Sequence, residues 1–205
     1  MGNKCFKIAL VNPKDTTIPI EDYSVYENLG LATLAATLRT HGYQVRIIDG
    51  YAENLNHAVV ADKVVKFDPN LVGFTCTYQS YPDVLEIGRK IKRQLPSVHL
   101  TIGGEHATFT VNEILTESGI FDSVVRGEGE ETLLELATAM EFSKPLKSIR
   151  GIHFKYNGGI SANPDRPAIQ DLDTLPYAFR YTLEYGSESG KSFLILIGML
   201  AIRGC

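Results

Sequence analysis

The residues of this chain with the greatest chemical potential gather in four short stretches: Asn12-Pro13, Thr75-Cys76-Thr77-Tyr78, Gly103-Gly104-Glu105-His106 and Gly127-Glu128. Each follows an apolar run. The glycine pair is the most informative, because two residues without side chains let a flat, bulky group lie against the backbone. A tight strand-to-helix turn explains the same pair, so its weight comes from its company, the VGFTCT stretch at 72–77. The GEGEET stretch at 127–132 has the G-x-G core of a phosphate loop, yet Glu128, Glu130 and Glu131 would repel a phosphate. It reads as a tight turn followed by acidic residues that favour a helix N-terminus, with a ligand-facing loop as the alternative.

Spacing gives metal chemistry little support. Cys5, Cys76 and Cys205 lie far apart and make an odd number, so they define neither a disulfide framework nor a self-contained metal site. His41, His57, His99 and His153 are scattered without ligand spacing and are assigned no chemistry. His106 reads as a helix-capping or polar-lining residue rather than a metal ligand, although neutral imidazole is a common donor. Cys76 reads first as a small buried hydrophobe.

Nucleotide chemistry is narrowed in the same way. A dinucleotide fold places G-x-G-x-x-G after its first strand, where this chain has VNPKDTT without a glycine. A phosphoacceptor domain of the response-regulator kind needs an aspartate ending the third strand and a lysine after the fifth; Thr75 and Arg126-Gly127 occupy those places. Lys14, Asp15, Thr16 and Thr17 form a polar loop able to wrap one phosphate, as in a flavodoxin-like mononucleotide carrier. An ordinary solvated loop is the plainer reading.

The elements that must position these residues follow from periodicity. Strand-like runs occur at 7–11, 44–49, 71–75, 99–102 and 123–125. Between them, Leu31, Leu34, Ala35 and Leu38 repeat at helical spacing, as do Val84, Ile87, Gly88 and Ile91, and then Leu133, Leu136, Ala137 and Met140. Gly42 and Pro96 stand where the first two helices should stop. The alternation predicts an α/β fold, a doubly wound, Rossmann-like or flavodoxin-like five-stranded parallel sheet with five helices over both faces. In such a sheet the ligand crevice lies at the carboxyl ends of the strands, which is where the four stretches fall.

After Met140 the pattern changes. Residues 151–156 and 160–161, joined by Asn157-Gly158-Gly159, read as a β-hairpin. Residues 165–180, with Pro167 and Pro176, read as an extended linker that wraps the domain. The expected organisation is an α/β domain over 1–142, hairpin and linker over 143–185, and a terminal segment over 186–205. Residues 186–191 are expected to be mobile.

The 205 residues are 44% hydrophobic and 21% charged, enough for one buried core with an appendage. A net charge of -4 without a Lys/Arg-rich run disfavours nucleic acid. The apolar run at 193–202 is about half the roughly 20 residues a membrane helix needs, so it reads as a buried strand. With no secretion signal, a cytoplasmic location is expected.

In this order and spacing, KIALVNP, ENLGLATLAATLRTHGYQVRIID, LVGFTCT, TIGGEHAT, VVRGEGEETLLEL and QDLDTLPYAFR resemble the N-terminal cobalamin-binding domain of cobalamin-dependent radical S-adenosylmethionine enzymes. The resemblance implies that Thr75 and Gly103-Gly104 line a slot for the nucleotide tail of cobalamin. It also implies that Asn12, Pro13, Cys76, Thr77, Tyr78, Glu105, His106, Gly127 and Glu128 border the cofactor, with Glu105 and His106 toward the corrin amides. Related domains in methionine synthase and the mutases carry a D-x-H-x-x-G loop whose histidine ligates cobalt, whereas residues 12–28 contain no histidine. Tyr78, Gln79 and Tyr81 are then the residues near the lower face of the metal, with surface packing as the plainer role.

The same resemblance extends to the terminus, FLILIGMLAIRGC. A first barrel strand in that family ends in R-G-C and opens a C-x-x-x-C-x-x-C loop for a four-iron, four-sulfur cluster (4Fe-4S). Cys205 matches the first cysteine, and the chain is expected to stop as the barrel begins. The resemblance implies a cobalamin-binding module partnered by the radical S-adenosylmethionine barrel of the same polypeptide, in a methyltransferase or cyclase acting on an unreactive carbon. The alternatives are a scaffold or interaction domain without cobalamin, and the mononucleotide carrier.

Overall fold

The computed structural model describes residues 5–16 and 28–178. In chain order it contains β1 (Lys7–Asn12), α1 (Leu29–Thr40), β2 (Gln44–Asp49), α2 (His57–Phe67), β3 (Leu71–Thr75), α3 (Tyr81–Gln94), β4 (His99–Gly103), α4 (Glu105–Phe109), α5 (Val111–Glu117), β5 (Ser123–Val125), α6 (Glu130–Glu141), β6 (Ile152–Tyr156) and β7 (Gly159–Ala162). The sheet order is β2-β1-β3-β4-β5-β6-β7. The first five strands are parallel, so the chain order reverses between β1 and β3, the switch point of a doubly wound sheet.

Burial on both faces explains why the parallel strands read as continuous apolar runs. Ile8, Leu10 and Leu71 pack under α1 and α6, while Ala9, Val11, Val72 and Phe74 pack under the helices of the opposite face. Local chemistry sets the helix ends. Asn28 caps α1 by accepting the Leu31 N–H at 3.0 Å, and Asn56 caps α2 by accepting the Val59 N–H at 3.0 Å. The chain leaves α1 through Gly42 at φ +87°, and α3 ends at Gln94, just before Pro96. Among the described residues, no helix is long and apolar enough to cross a membrane.

The five parallel strands stand where periodicity places them, two of them one residue longer at the carboxyl end. Two features differ from the expectation. The hairpin joins the same sheet, because β6 pairs antiparallel with β5 and completes an edge that β5 would otherwise leave open, giving seven strands. Residues 105–109 form the short helix α4, with α5 following directly, giving six helices among the described residues where five were expected. The extended linker is observed as far as residue 178, broken by a 3-10 turn at Leu172–Thr174. Residues 186–205, with Cys205 and the expected barrel strand, lie outside the described residues.

Candidate functional site

The site begins with strand alternation. On β3 and β4, the residues facing α1 and α6 near the carboxyl ends are all small: Gly73 and Thr75, opposite Thr101 and Gly103. With no bulk there, the two helices cannot close on the sheet, and a cavity of about 570 Å³ remains. That volume lies within the usual range of small-molecule sites, roughly 300–1,000 Å³.

The cavity is a slot entered from the carboxyl edge. Thr75, Gly103 and Gly104 form its rim with the turn 127–130, and Arg166 and Ala168 cross over it. Leu10, Gly73 and Thr101 form its floor, two residues further along the strands, or roughly 6.6 Å deeper. Leu31 and Leu34 of α1 face Leu133 of α6 as walls. A Cβ on Gly73 would stand 3.2 Å from Leu10 Cδ2 and 3.7 Å from Thr101 Cγ2. The missing side chain at 73 is therefore what leaves the floor open.

Hydrogen bonding sorts the polar groups by depth. Thr101 donates its hydroxyl to the Ser123 carbonyl at 3.3 Å and accepts from Ser123 Oγ at 2.9 Å. Ser123 Oγ is in turn bonded to His99 Nε2 at 2.8 Å, and burial depresses the His99 pKa to about 4, keeping the ring neutral. This chain leaves the Thr101 methyl near the slot. At the rim, Thr75 makes no side-chain hydrogen bond to another described residue, and Glu128 accepts the Ile169 N–H at 2.6 Å.

A strap at 163–170 runs along one side of the rim. Arg166 reaches Glu131 and Glu135 at 2.6 Å each and donates to Thr132 Oγ1 at 2.8 Å. Gly151 N–H donates to the Pro164 carbonyl at 2.8 Å, and Asn163 donates to the Leu146 and Ile149 carbonyls.

Of the residues singled out from sequence, Thr75, Gly103, Gly104, Gly127 and Glu128 come together at this slot. Gly104 has φ +97°, and a Cβ there would lie 2.7 Å from the Cys76 carbonyl oxygen, so close approach of β3 and β4 already demands glycine. Cys76 itself is buried, donates its thiol to the Thr77 carbonyl at 3.1 Å, and has its pKa pushed up to about 12 by desolvation. Thr77 bonds Ser80, with hydroxyls 3.1 Å apart. Tyr78 is 77% exposed, its ring edge-on to His106 at 5.6 Å, and Tyr81, the first residue of α3, stacks obliquely on the same imidazole at 4.7 Å. Glu105 and Gln79 are exposed beside them. This aromatic group shares the carboxyl edge but packs over the opposite face of the sheet from the slot. Asn12 and Pro13 stand toward β2, where Asn12 donates to Asp49 at 2.8 Å and Pro13 is buried.

Sequence reading missed Gly73, Thr101, Leu34, Leu133 and Arg166 as slot residues. A glycine inside a strand and a threonine two before Gly103 were the available signals. Arg166 had none, because its role depends on where the strap lands. Among the described residues, no group of three or more His, Cys, Asp or Glu side chains is placed to hold a metal ion.

A doubly wound sheet with an apolar slot and a polar rim at its carboxyl edge is an architecture for binding a small molecule at the strand ends. Residues 17–137 match the family model of the B12 binding domain, and the chain belongs to that family. It is 38% identical over 174 residues to an uncharacterized methyltransferase of Pyrococcus horikoshii, covering 84% of this chain and 38% of that protein. It is 30% identical over 181 residues to an anaerobic magnesium-protoporphyrin IX monomethyl ester cyclase of Synechocystis, covering 86% and 36%. The chain thus spans under two fifths of these relatives. Its fold matches that of the cobalamin-dependent S-adenosylmethionine radical enzyme OxsB with aqua-cobalamin and S-adenosylmethionine bound, with a TM-score of 0.77 and 19% identity, over 90% of this chain and 25% of that one.

Proposed function

We propose that this chain is the cobalamin-binding module of a radical S-adenosylmethionine enzyme, a methyltransferase or cyclase acting on an unreactive carbon. The observation that carries the reading is the slot held open by Gly73 between α1 and α6, with its rim at the carboxyl edge. When bound, cobalamin supplies a cobalt centre able to carry a methyl group, and the protein's task is binding and orientation.

Thr75, Gly103 and Gly104 border the nucleotide tail as it enters, with Gly127 and Glu128 on the opposite rim. Glu105 and His106 stand on the corrin side with Tyr78, while Asn12, Pro13, Cys76 and Thr77 support the loops beneath. Residues 1–142 form the cofactor domain and 143–185 its hairpin and strap. Residues 186–205 begin the barrel, where Cys205 is the first ligand of a four-iron, four-sulfur cluster and S-adenosylmethionine binds.

The test mixes the protein with hydroxocobalamin, desalts it and records the retained corrin spectrum. Retention at one equivalent is expected. Absence of retention by both this chain and the longer polypeptide containing the barrel would leave the scaffold reading, and co-purified flavin mononucleotide would establish the carrier reading.

A further inference from the structure

We infer that the slot selects among corrinoids by the base of the nucleotide tail, taking a benzimidazole and discriminating against a purine. The inference rests on the slot being the tail site. Purine ring nitrogens and an exocyclic amine need partners when buried, and leaving them unpaired weakens binding. A benzimidazole with methyl substituents presents an apolar edge that needs none.

The floor of the slot presents no partner. Gly73 has no side chain, and its backbone lies in a strand paired on both sides, with β1 and with β4. The Thr101 hydroxyl is bonded to Ser123, leaving its methyl toward Gly73. Leu10 supplies the remaining floor, and Leu34 and Leu133 the walls. Polar groups stand one level higher: Thr75 at the end of β3, and Glu128 and Glu130 where the chain enters α6. The gradient suits a tail whose base is deepest and whose ribose and phosphate stay at the rim.

The experiment measures binding of three corrinoids to the whole chain by equilibrium dialysis. They are cobalamin, the same corrinoid with adenine in place of dimethylbenzimidazole, and cobinamide, which lacks the nucleotide. Cobalamin should bind about tenfold or more tighter than the adenine form, the scale expected for an unpaired buried polar group. Leu34→Gln should shrink that ratio by tightening the adenine form, and Thr75→Val should weaken both nucleotide-bearing forms alike. Equal affinity for the two bases overturns the inference while leaving the tail site standing. Cobinamide binding as tightly as cobalamin, or no binding of any of the three by both this chain and the longer polypeptide containing the barrel, overturns the tail-site reading and the inference with it.

Discussion

Gly73 of β3 lies beside Leu10 of β1 so closely that a Cβ at 73 would approach Leu10 Cδ2 to 3.2 Å. Any larger side chain must project into the slot. Gly73→Leu should therefore abolish corrinoid retention while keeping the helical circular-dichroism signal, at a stability cost of about 1–3 kcal/mol from overpacking. Full retention by this variant would show that the tail lies elsewhere.

Gly104 and Gly103 are adjacent but serve different ends. At Gly104 the backbone is left-handed, φ +97°, and a Cβ would meet the Cys76 carbonyl at 2.7 Å. Gly104→Ala should lower the urea midpoint by an amount equivalent to about 1–3 kcal/mol. At Gly103 the nearest contact of a Cβ is 3.4 Å, so Gly103→Ala should fold nearly as stably as the parent and lose affinity instead. The paired denaturation and binding curves separate the two roles.

Arg166 fastens the strap, its side chain 11% exposed while its partners Glu131 and Glu135 are about half exposed. Solvent screening of those carboxylates limits the loss in Arg166→Ala to about 1 kcal/mol. The effect should be local: faster hydrogen exchange at the Ile169 amide, which donates to Glu128, and faster corrinoid dissociation. Unchanged exchange at that amide would exclude the strap as a fastened element.

His99 makes stability depend on pH. Its pKa falls from the ordinary 6.5 to about 4, chiefly through burial, with Asp122 opposing the shift. The unfolded chain binds a proton between those values that the folded chain does not, so stability is complete above pH 6.5 and is lost as pH falls toward 4. Urea midpoints at pH 7.5, 5.5 and 4.5 should decline, and His99→Gln should decline less. An NMR titration midpoint of His99 near 6.5 would refute this.

The sheet was legible because its signals are local. The runs at 44–49, 71–75 and 123–125 coincide with β2, β3 and β5, and the Leu31-Leu34-Ala35-Leu38 stripe lies on α1. The turn Asn157-Gly158 identified the hairpin through two residues at positive φ. Its attachment to β5 was not legible, since period-two alternation says nothing about which edge a strand completes.

The sequence by itself determined the doubly wound class, the carboxyl edge at which the slot opens and the glycine pair at the rim, all consequences of periodicity and backbone freedom within a few residues. Only the tertiary structure decided that Gly73 and Thr101 share a floor, that Leu34 and Leu133 face each other, and that Arg166 borders the slot. Those relations join segments far apart in the chain, and are set by strand register and by helices held off the sheet where its side chains are small.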